Sequence, residues 1–297
     1  MNPFCIISDS SCDLSDPLLE ELDVRVIPFY VSFDQKIYRR ERKELSLEVF
    51  YRRLTSEKIF PKSSMPSIGD YCDAFQAAIA DGYREICCIT ITAKFSGSFN
   101  AASDAREIIM EDYPDVDIRI VDSYQATGGQ GITVYEACRM RAAGYSFADT
   151  VRRLIELRDT SRIMFMVGTL EYLSRGGRVG KAAAVGANLL NLNPLIELYD
   201  AELQAYGTAR GRKKAMKKVI EMVSDYFKKN KLSYDDYDFG VCKGHSSGAD
   251  AEIVKANLEK LVGKKLTIPD FHVGVTIGTY TGPDPVGITF IRKYNRP

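Results

Sequence analysis

The sequence predicts an α/β protein in two parts, a three-layer domain around a parallel sheet followed by a mixed α/β domain. Three observations point there. Short apolar or β-branched runs alternate with helix-length segments through the first two-thirds of the chain, the pattern of parallel βαβ units. One of those runs, residues 85–92, is almost entirely apolar or β-branched, as expected of a strand covered on both faces. Near residue 160 the texture changes, which places a boundary between a domain of residues 1–159 and one of 160–297.

Taken in order, residues 4–8 form an apolar run that ends in the polar cluster Asp9-Ser-Ser-Cys-Asp13. Those side chains suit helix capping, or a contact with phosphate, metal or ribose. Residues 24–33, rich in β-branched and aromatic types, read as a second strand. Ser46 is placed to cap a helix that carries Val49, Phe50 and Leu54 on one face. Lys62-Ser-Ser-Met-Pro-Ser67 reads as a small polar loop, with Ser67 capping a helix through Tyr71, Phe75 and Ile79 to Gly82. After the strand at 85–92, Ser96-Gly97-Ser98 opens a helix through Ala101, Ala105 and Ile109. A strand at 117–121 and helices at 128–144 and 147–158 follow. The second part begins with a strand at 162–169, then a small-residue helix at 180–190 and a strand at 195–199. A basic helix at 212–229 and a charged connector at 231–238 lead to three last strands, at 239–243, 271–274 and 286–293.

Composition excludes several functions. The 297 residues carry 40 Lys+Arg against 40 Asp+Glu, so the net charge is zero and the basic excess of a nucleic-acid binder is missing. A hydrophobic fraction of 45% with 27% charged residues is that of a folded core, not of a disordered chain. No apolar run reaches the ~18 residues of a membrane span, and residues 1–14 show neither the basic nor the apolar region of a signal peptide. The seven cysteines are odd in number and none is spaced CxxC, which argues against disulfides or a zinc site and for a reducing cytoplasm.

The strongest local candidate for chemistry is Ser96-Gly97-Ser98. It lies where a buried parallel strand ends and a helix begins, the crevice in which open α/β sheets hold ligands. Unpaired N–H groups and the positive helix end favour an anion there, Gly97 permits close approach and Ser96 offers a hydroxyl. A Ser cap followed by a turn glycine explains the same residues equally well. Ser63-Ser64 supplies further hydroxyls, although an ordinary loop is the simpler reading. An acyl hydrolase or transferase built on Ser96 with His245 as base is the enzyme alternative. The glycines of a nucleophile elbow are missing from Lys94-Phe-Ser-Gly-Ser98, which counts against it. No Walker pattern occurs, and Gly176-Gly-Arg-Val-Gly180 does not follow a strand as a dinucleotide loop would.

Eight segments in order carry a resemblance. They are Ile6-Ile-Ser-Asp-Ser-Ser-Cys-Asp-Leu14, Lys62-Ser-Ser-Met-Pro-Ser67, Phe95-Ser-Gly-Ser-Phe99, Val121-Asp-Ser123, Thr169-Leu-Glu-Tyr-Leu-Ser-Arg-Gly-Gly-Arg178, Asn193-Pro194, Ala209-Arg-Gly-Arg-Lys-Lys-Ala215 and Gly278-Thr-Tyr-Thr-Gly-Pro283. Together they resemble the DegV family, which includes the fatty acid-binding subunits of bacterial fatty acid kinase, from about residue 4 to 291. The resemblance implies a two-domain α/β carrier with no cofactor or metal and no catalytic residue of its own. One long-chain fatty acid would lie in a tunnel between the domains, its carboxylate presented to a separate ATP-dependent kinase that makes the acyl phosphate for phospholipid metabolism. It further implies that Ser96, Gly97 and Ser63 meet the carboxylate. Tyr280 would do so where the family often has His; a tyrosine donates a hydrogen bond but carries no positive charge near neutral pH. Arg210 matches an arginine of the kinase-facing surface, with Arg212, Lys213 and Lys214 extending the patch.

Overall fold

Every residue of β1 (Cys5–Asp9) is buried, and the first half of the chain is arranged around it. The structure, a computed structural model, describes residues 2–57, 59–185 and 192–296. After β1 come α1 (Asp16–Glu21), β2 (Val24–Ile27), β3 (Tyr30–Ser32), β4 (Arg39–Arg40), α2 (Leu47–Ser56), β5 (Lys62–Ser64) and α3 (Ile68–Ala80). Next are β6 (Glu85–Thr90), α4 (Ser98–Asp112), β7 (Asp117–Asp122), α5 (Thr127–Ala142) and α6 (Phe147–Arg158). Four of these strands form a parallel sheet in the order β2-β1-β6-β7. Its side chains alternate between two cores. Ile7, Ile86, Cys88 and Ile118 face α3 and α4, whereas Ile6, Cys87, Ile89 and Val121 face α5 and α6. That double cover is why residues 85–90 carry almost no polar side chain.

The stretch 24–33, expected as one strand, is two. Pro28 separates β2, in the parallel sheet, from β3, which lies in a small antiparallel sheet of order β4-β3-β5. A proline offers no ladder donor, so the chain leaves one sheet there and joins another. Lys62-Ser-Ser64 is not a loop either; it pairs with β3, Ser63 opposite Val31. Ser46 and Ser67 cap α2 and α3 as expected, the latter in a full capping box with Asp70.

The second half contributes β8 (Arg162–Met166), α7 (Glu171–Gly176), β9 (Leu192–Tyr199), β10 (Glu202–Arg210), α8 (Arg212–Lys229) and β11 (Tyr237–Lys243). It closes with α9 (Gly248–Val262), β12 (Phe271–His272), α10 (Val275–Thr281) and β13 (Val286–Arg292). These strands make a six-stranded mixed sheet, β10-β9-β8-β13-β11-β12, in which only β11 and β12 run parallel. Sequence reading passes over β10, an edge strand with Gly207 at its bulge and alternately exposed polar residues. The small-residue helix expected at 180–190 is a 3-10 helix over Gly180–Val185, and the rest of it lies outside the described residues. Gly278–Thr281 forms the end of α10, with Gly282 as its C-cap.

Helices α8 and α9 cover one face of the mixed sheet, and α5 lies against the other while also packing on β1 and β6. Midway along α5, the fully buried Glu136 accepts hydrogen bonds from Arg139 Nη1 (2.7 Å) and from the backbone N–H of Tyr294 (2.8 Å), and Arg139 also pairs with Asp238 on β11. Burial pushes the Glu136 carboxyl up to about 7, against the pull of Arg139. A carboxyl raised from its ordinary 4.5 stabilises the fold below that pH and loses the contribution as pH climbs through 7. Thermal stability is therefore expected to fall between pH 4.5 and 7, and Glu136→Gln to flatten that slope. A wild-type slope unchanged by the substitution would refute the assignment.

Candidate functional site

A cavity of about 170 Å³ opens between the mixed sheet and the strand ends of the parallel sheet, and it follows one face of α10 through Thr276, Ile277, Tyr280 and Thr281. Its wall is apolar along most of the way, with Phe29, Ile91, Ile163, Phe165, Leu198 and Val273 among the lining side chains. Polar groups collect at two places, a mouth around Tyr280 and an inner end one helical turn away around Thr276.

Four elements converge on the mouth. Ser63, held in β5, and Tyr280, in the last turn of α10, bring their hydroxyls to 2.7 Å from one another. Tyr280 fits because Gly176 has no side chain; a Cβ there would sit 2.3 Å from the tyrosine ring. Gly177 then takes a left-handed turn (φ 73°), which suits glycine, and sends Arg178 back over the Tyr280 ring at 5.2 Å. The Arg178 guanidinium donates to the carbonyls of Phe95 (3.2 Å) and Gly176 (2.6 Å), so it stands beside Ser96. The Leu-Ser-Arg-Gly-Gly-Arg segment is thus a device for placing a cation at the mouth. Sequence reading missed Arg178 as a site residue, although an arginine straight after a Gly-Gly turn was the available signal.

The Ser96-Gly97-Ser98 turn is the fourth element. Gly97 is the N-cap residue of α4 and has no side chain to satisfy the helix end. The Ser98 N–H donates to Ser96 Oγ (3.2 Å), which leaves the Ser96 proton free for a ligand acceptor. Ser98 itself faces inward, where it donates to Asp9 Oδ2 (3.0 Å) and meets Tyr71 OH at 2.5 Å. Asp9 fixes the whole turn. Its fully buried carboxyl also accepts from Ile91 N (2.9 Å), Gln130 Nε2 (2.9 Å), Ser11 N (3.2 Å) and Ser11 Oγ (2.5 Å). Burial raises its pKa while these donors hold it down. Asp9 is thus held by the protein's own donors, and its capping of the 3-10 turn at Ser10–Cys12 is part of that network.

Glu41 positions α10. Its buried carboxylate accepts from Val275 N (2.5 Å), Thr276 N (3.2 Å), Thr276 Oγ1 (2.7 Å) and Ser10 Oγ (2.7 Å), filling the start of a helix whose other end carries Tyr280. Nothing in the run Arg39-Arg-Glu-Arg-Lys-Glu44 marks its middle residue as buried.

His245 is not brought to Ser96. Its exposed imidazole stacks on Tyr51 (5.0 Å between centroids, 9° between planes), with His272 next in line at 6.5 Å, and no histidine lines the cavity. The serine–histidine pair of an acyl hydrolase is absent from this site. Arg210 is exposed at the end of β10, beside exposed Lys213 and Lys214. Arg212 is engaged within the chain, in ion pairs with Asp250 and with Asp284 (3.1 Å). All seven cysteines are free thiols. Among the described residues no cluster of three or more His, Cys, Asp or Glu stands in a metal-binding arrangement, and no helix is long and apolar enough to cross a membrane.

The family model described as "Uncharacterised protein, DegV family COG1307" matches residues 3–293. The chain belongs to the DegV family. A DegV domain-containing protein of Clostridium acetobutylicum is 30% identical to it over 99% of this chain and 100% of that one. Among solved structures, a stearic acid-binding protein from Eubacterium ventriosum shares 35% identity at a TM-score of 0.92, covering 98% of this chain and 99% of that chain. A DegV protein from Thermus thermophilus, described for its fatty acid binding, shares 27% identity at 0.84, over 98% and 100%. The parallel sheet joined to a mixed sheet is therefore the DegV arrangement.

Proposed function

We propose that this DegV protein is a carrier that holds one long-chain fatty acid, with the acyl chain in the apolar cavity and the carboxylate at the mouth. The observation that carries this reading is the joining of a long apolar wall to three hydroxyls, those of Ser63, Ser96 and Tyr280, and one guanidinium, that of Arg178. Burying an acyl chain stabilises the complex by up to ~0.8 kcal/mol per methylene, so the tail supplies most of the affinity. The head group sets orientation. Arg178 attracts a carboxylate to the mouth, whereas the acidic pair Asp13 and Glu41, buried behind the inner end and carrying the Glu41 charge, opposes one there. The N–H groups at Gly97 and the start of α4 add to the anion site. The solved relatives described as binding stearic acid or fatty acid support the same ligand class. Protein purified from a heterologous host without delipidation is expected to release one fatty acid per chain on extraction, read by native mass spectrometry. Samples that carry no acyl mass, and that bind none when it is added, would overturn the reading.

The finer part of the proposal is presentation of the carboxylate to a separate ATP-dependent kinase, in the cytoplasm. The exposed cations Arg210, Lys213 and Lys214 are the docking candidates. Arg212, held by Asp250 and Asp284, contributes by anchoring the start of α8 beneath them. Arg210→Ala is expected to leave fatty acid affinity intact while strongly reducing acyl-phosphate formation with a competent kinase, and wild-type turnover to fall with rising salt. Loss of lipid binding in that variant would place Arg210 in the lipid site instead. The division of the chain at residue 160 belongs to the same proposal, since β7 ends the parallel sheet at Asp122 and β8 begins the mixed sheet at Arg162.

A further inference from the structure

The inner end of the cavity is not apolar. Thr127 lines it, is nine-tenths buried, and its Oγ1 has no hydrogen-bond partner. Behind Thr127 lies Asp13, 3% exposed, whose two carboxyl oxygens are both buried and make no hydrogen bond of ordinary geometry, although the Thr127 hydroxyl and the Gly274 N–H face them. Asp13 Oδ1 and Glu41 Oε1 stand within 2.5 and 2.6 Å of the point a Gly274 Cβ would occupy. Two carboxyl groups so near one another favour retention of a proton, and burial together with the Glu41 charge raises Asp13 well above the carboxylate range. Thr276 and Cys242 complete the inner wall. A purely hydrocarbon chain lying against this wall leaves these polar atoms without partners.

We infer that the inner end is a second polar subsite, built on Thr127 with Asp13 behind it, that takes a hydroxyl group on the acyl chain at the depth where the chain passes Thr127. The ligand class is a hydroxylated fatty acid whose hydroxyl is set back from the carboxylate by that distance. Its hydroxyl donates to, or accepts from, Thr127 Oγ1, and the Thr127–Asp13 pair gains the partner it lacks. The inference rests on the fatty acid reading of the cavity. In a wholly apolar pocket the same hydroxyl is a penalty, so the sign of its effect separates the two descriptions.

The test titrates delipidated protein with hexadecanoic acid, with its ω-hydroxy derivative, and with shorter homologues of both. At the chain length that reaches Thr127, the wild type is expected to bind the hydroxy acid at least as tightly as the plain acid. Thr127→Val keeps the shape and removes the hydroxyl; it is expected to weaken the hydroxy acid at least tenfold and leave the plain acid equal or tighter. Thr127→Ser is expected to retain the wild-type preference. Should the valine variant fail to fold, the wild-type comparison across lengths decides alone. Plain acids bound more than tenfold tighter than their hydroxy derivatives at every length would overturn the subsite and leave the carrier reading intact. No binding of any acid would overturn both.

Discussion

Replacing Arg178 with alanine is expected to weaken long-chain fatty acid binding by about ten- to thirtyfold, or roughly 1.4–2 kcal/mol. The guanidinium is the one charged group among the cavity-lining residues at the mouth, and it is held there by the Phe95 and Gly176 carbonyls rather than by a carboxylate. Hydrogen bonds to charged acceptors are stronger than neutral ones, but Arg178 is exposed, so solvent screening trims the effect. Arg178→Lys is expected to recover only part of the loss, because an ammonium does not lie flat on the Tyr280 ring. Ser96→Ala is expected to cost about 1–3 kcal/mol and Ser63→Ala less, since Tyr280 keeps its hydroxyl when Ser63 is removed. Calorimetric titration with one saturated acid reads all four variants. Unchanged affinity in Arg178→Ala and Ser96→Ala together would mean that the carboxylate lies elsewhere.

The largest effect on the fold is expected from Asp9→Ala, a loss of about 3–5 kcal/mol in unfolding free energy. Its carboxyl receives donors from the end of β6, from α5, from Ser11 and from Ser98, all buried, and alanine strands them together. Asp9→Asn is expected to be nearly as damaging, since one acceptor becomes a donor aimed at other donors. Denaturant unfolding followed by circular dichroism measures both. The same variants loosen the Ser98 anchor, so fatty acid affinity is expected to drop at temperatures where the protein is still folded. A stability loss below 1 kcal/mol in Asp9→Ala would show that water replaces the network.

How much of this was legible in the sequence depended on whether the signal was local. The helices at 147–158 and 212–229 fall within a residue of their spacing-based bounds because their apolar stripes, and for the first its Ser146 cap, are local. Residues 24–33 misled because strand propensity does not say which sheet a strand joins, and the proline that divides them was outweighed by its neighbours. Strand β10 was missed because an exposed edge strand carries no apolar alternation. Ser63, Ser96, Gly97 and Tyr280 all line one cavity, a gathering that only the family resemblance pointed to, because they come from three distant segments. Glu41 was beyond reach for the opposite reason. Its importance arises from burial, and a carboxyl in a charged run looks the same buried or exposed until the chain is folded.

The hydrogen bond between Ser63 and Tyr280 has a consequence for traffic through the mouth. β5 and α10 are stitched there by one bond in which either hydroxyl can be the donor. An arriving carboxylate offers both hydroxyls a better acceptor, so they turn from each other toward it, and on departure they close again. The closed pair already uses one of the two protons, so binding a carboxylate exchanges that bond for another rather than adding a whole one. On the proposed carrier reading, this exchange keeps the head group's net hold modest while the tail retains the molecule.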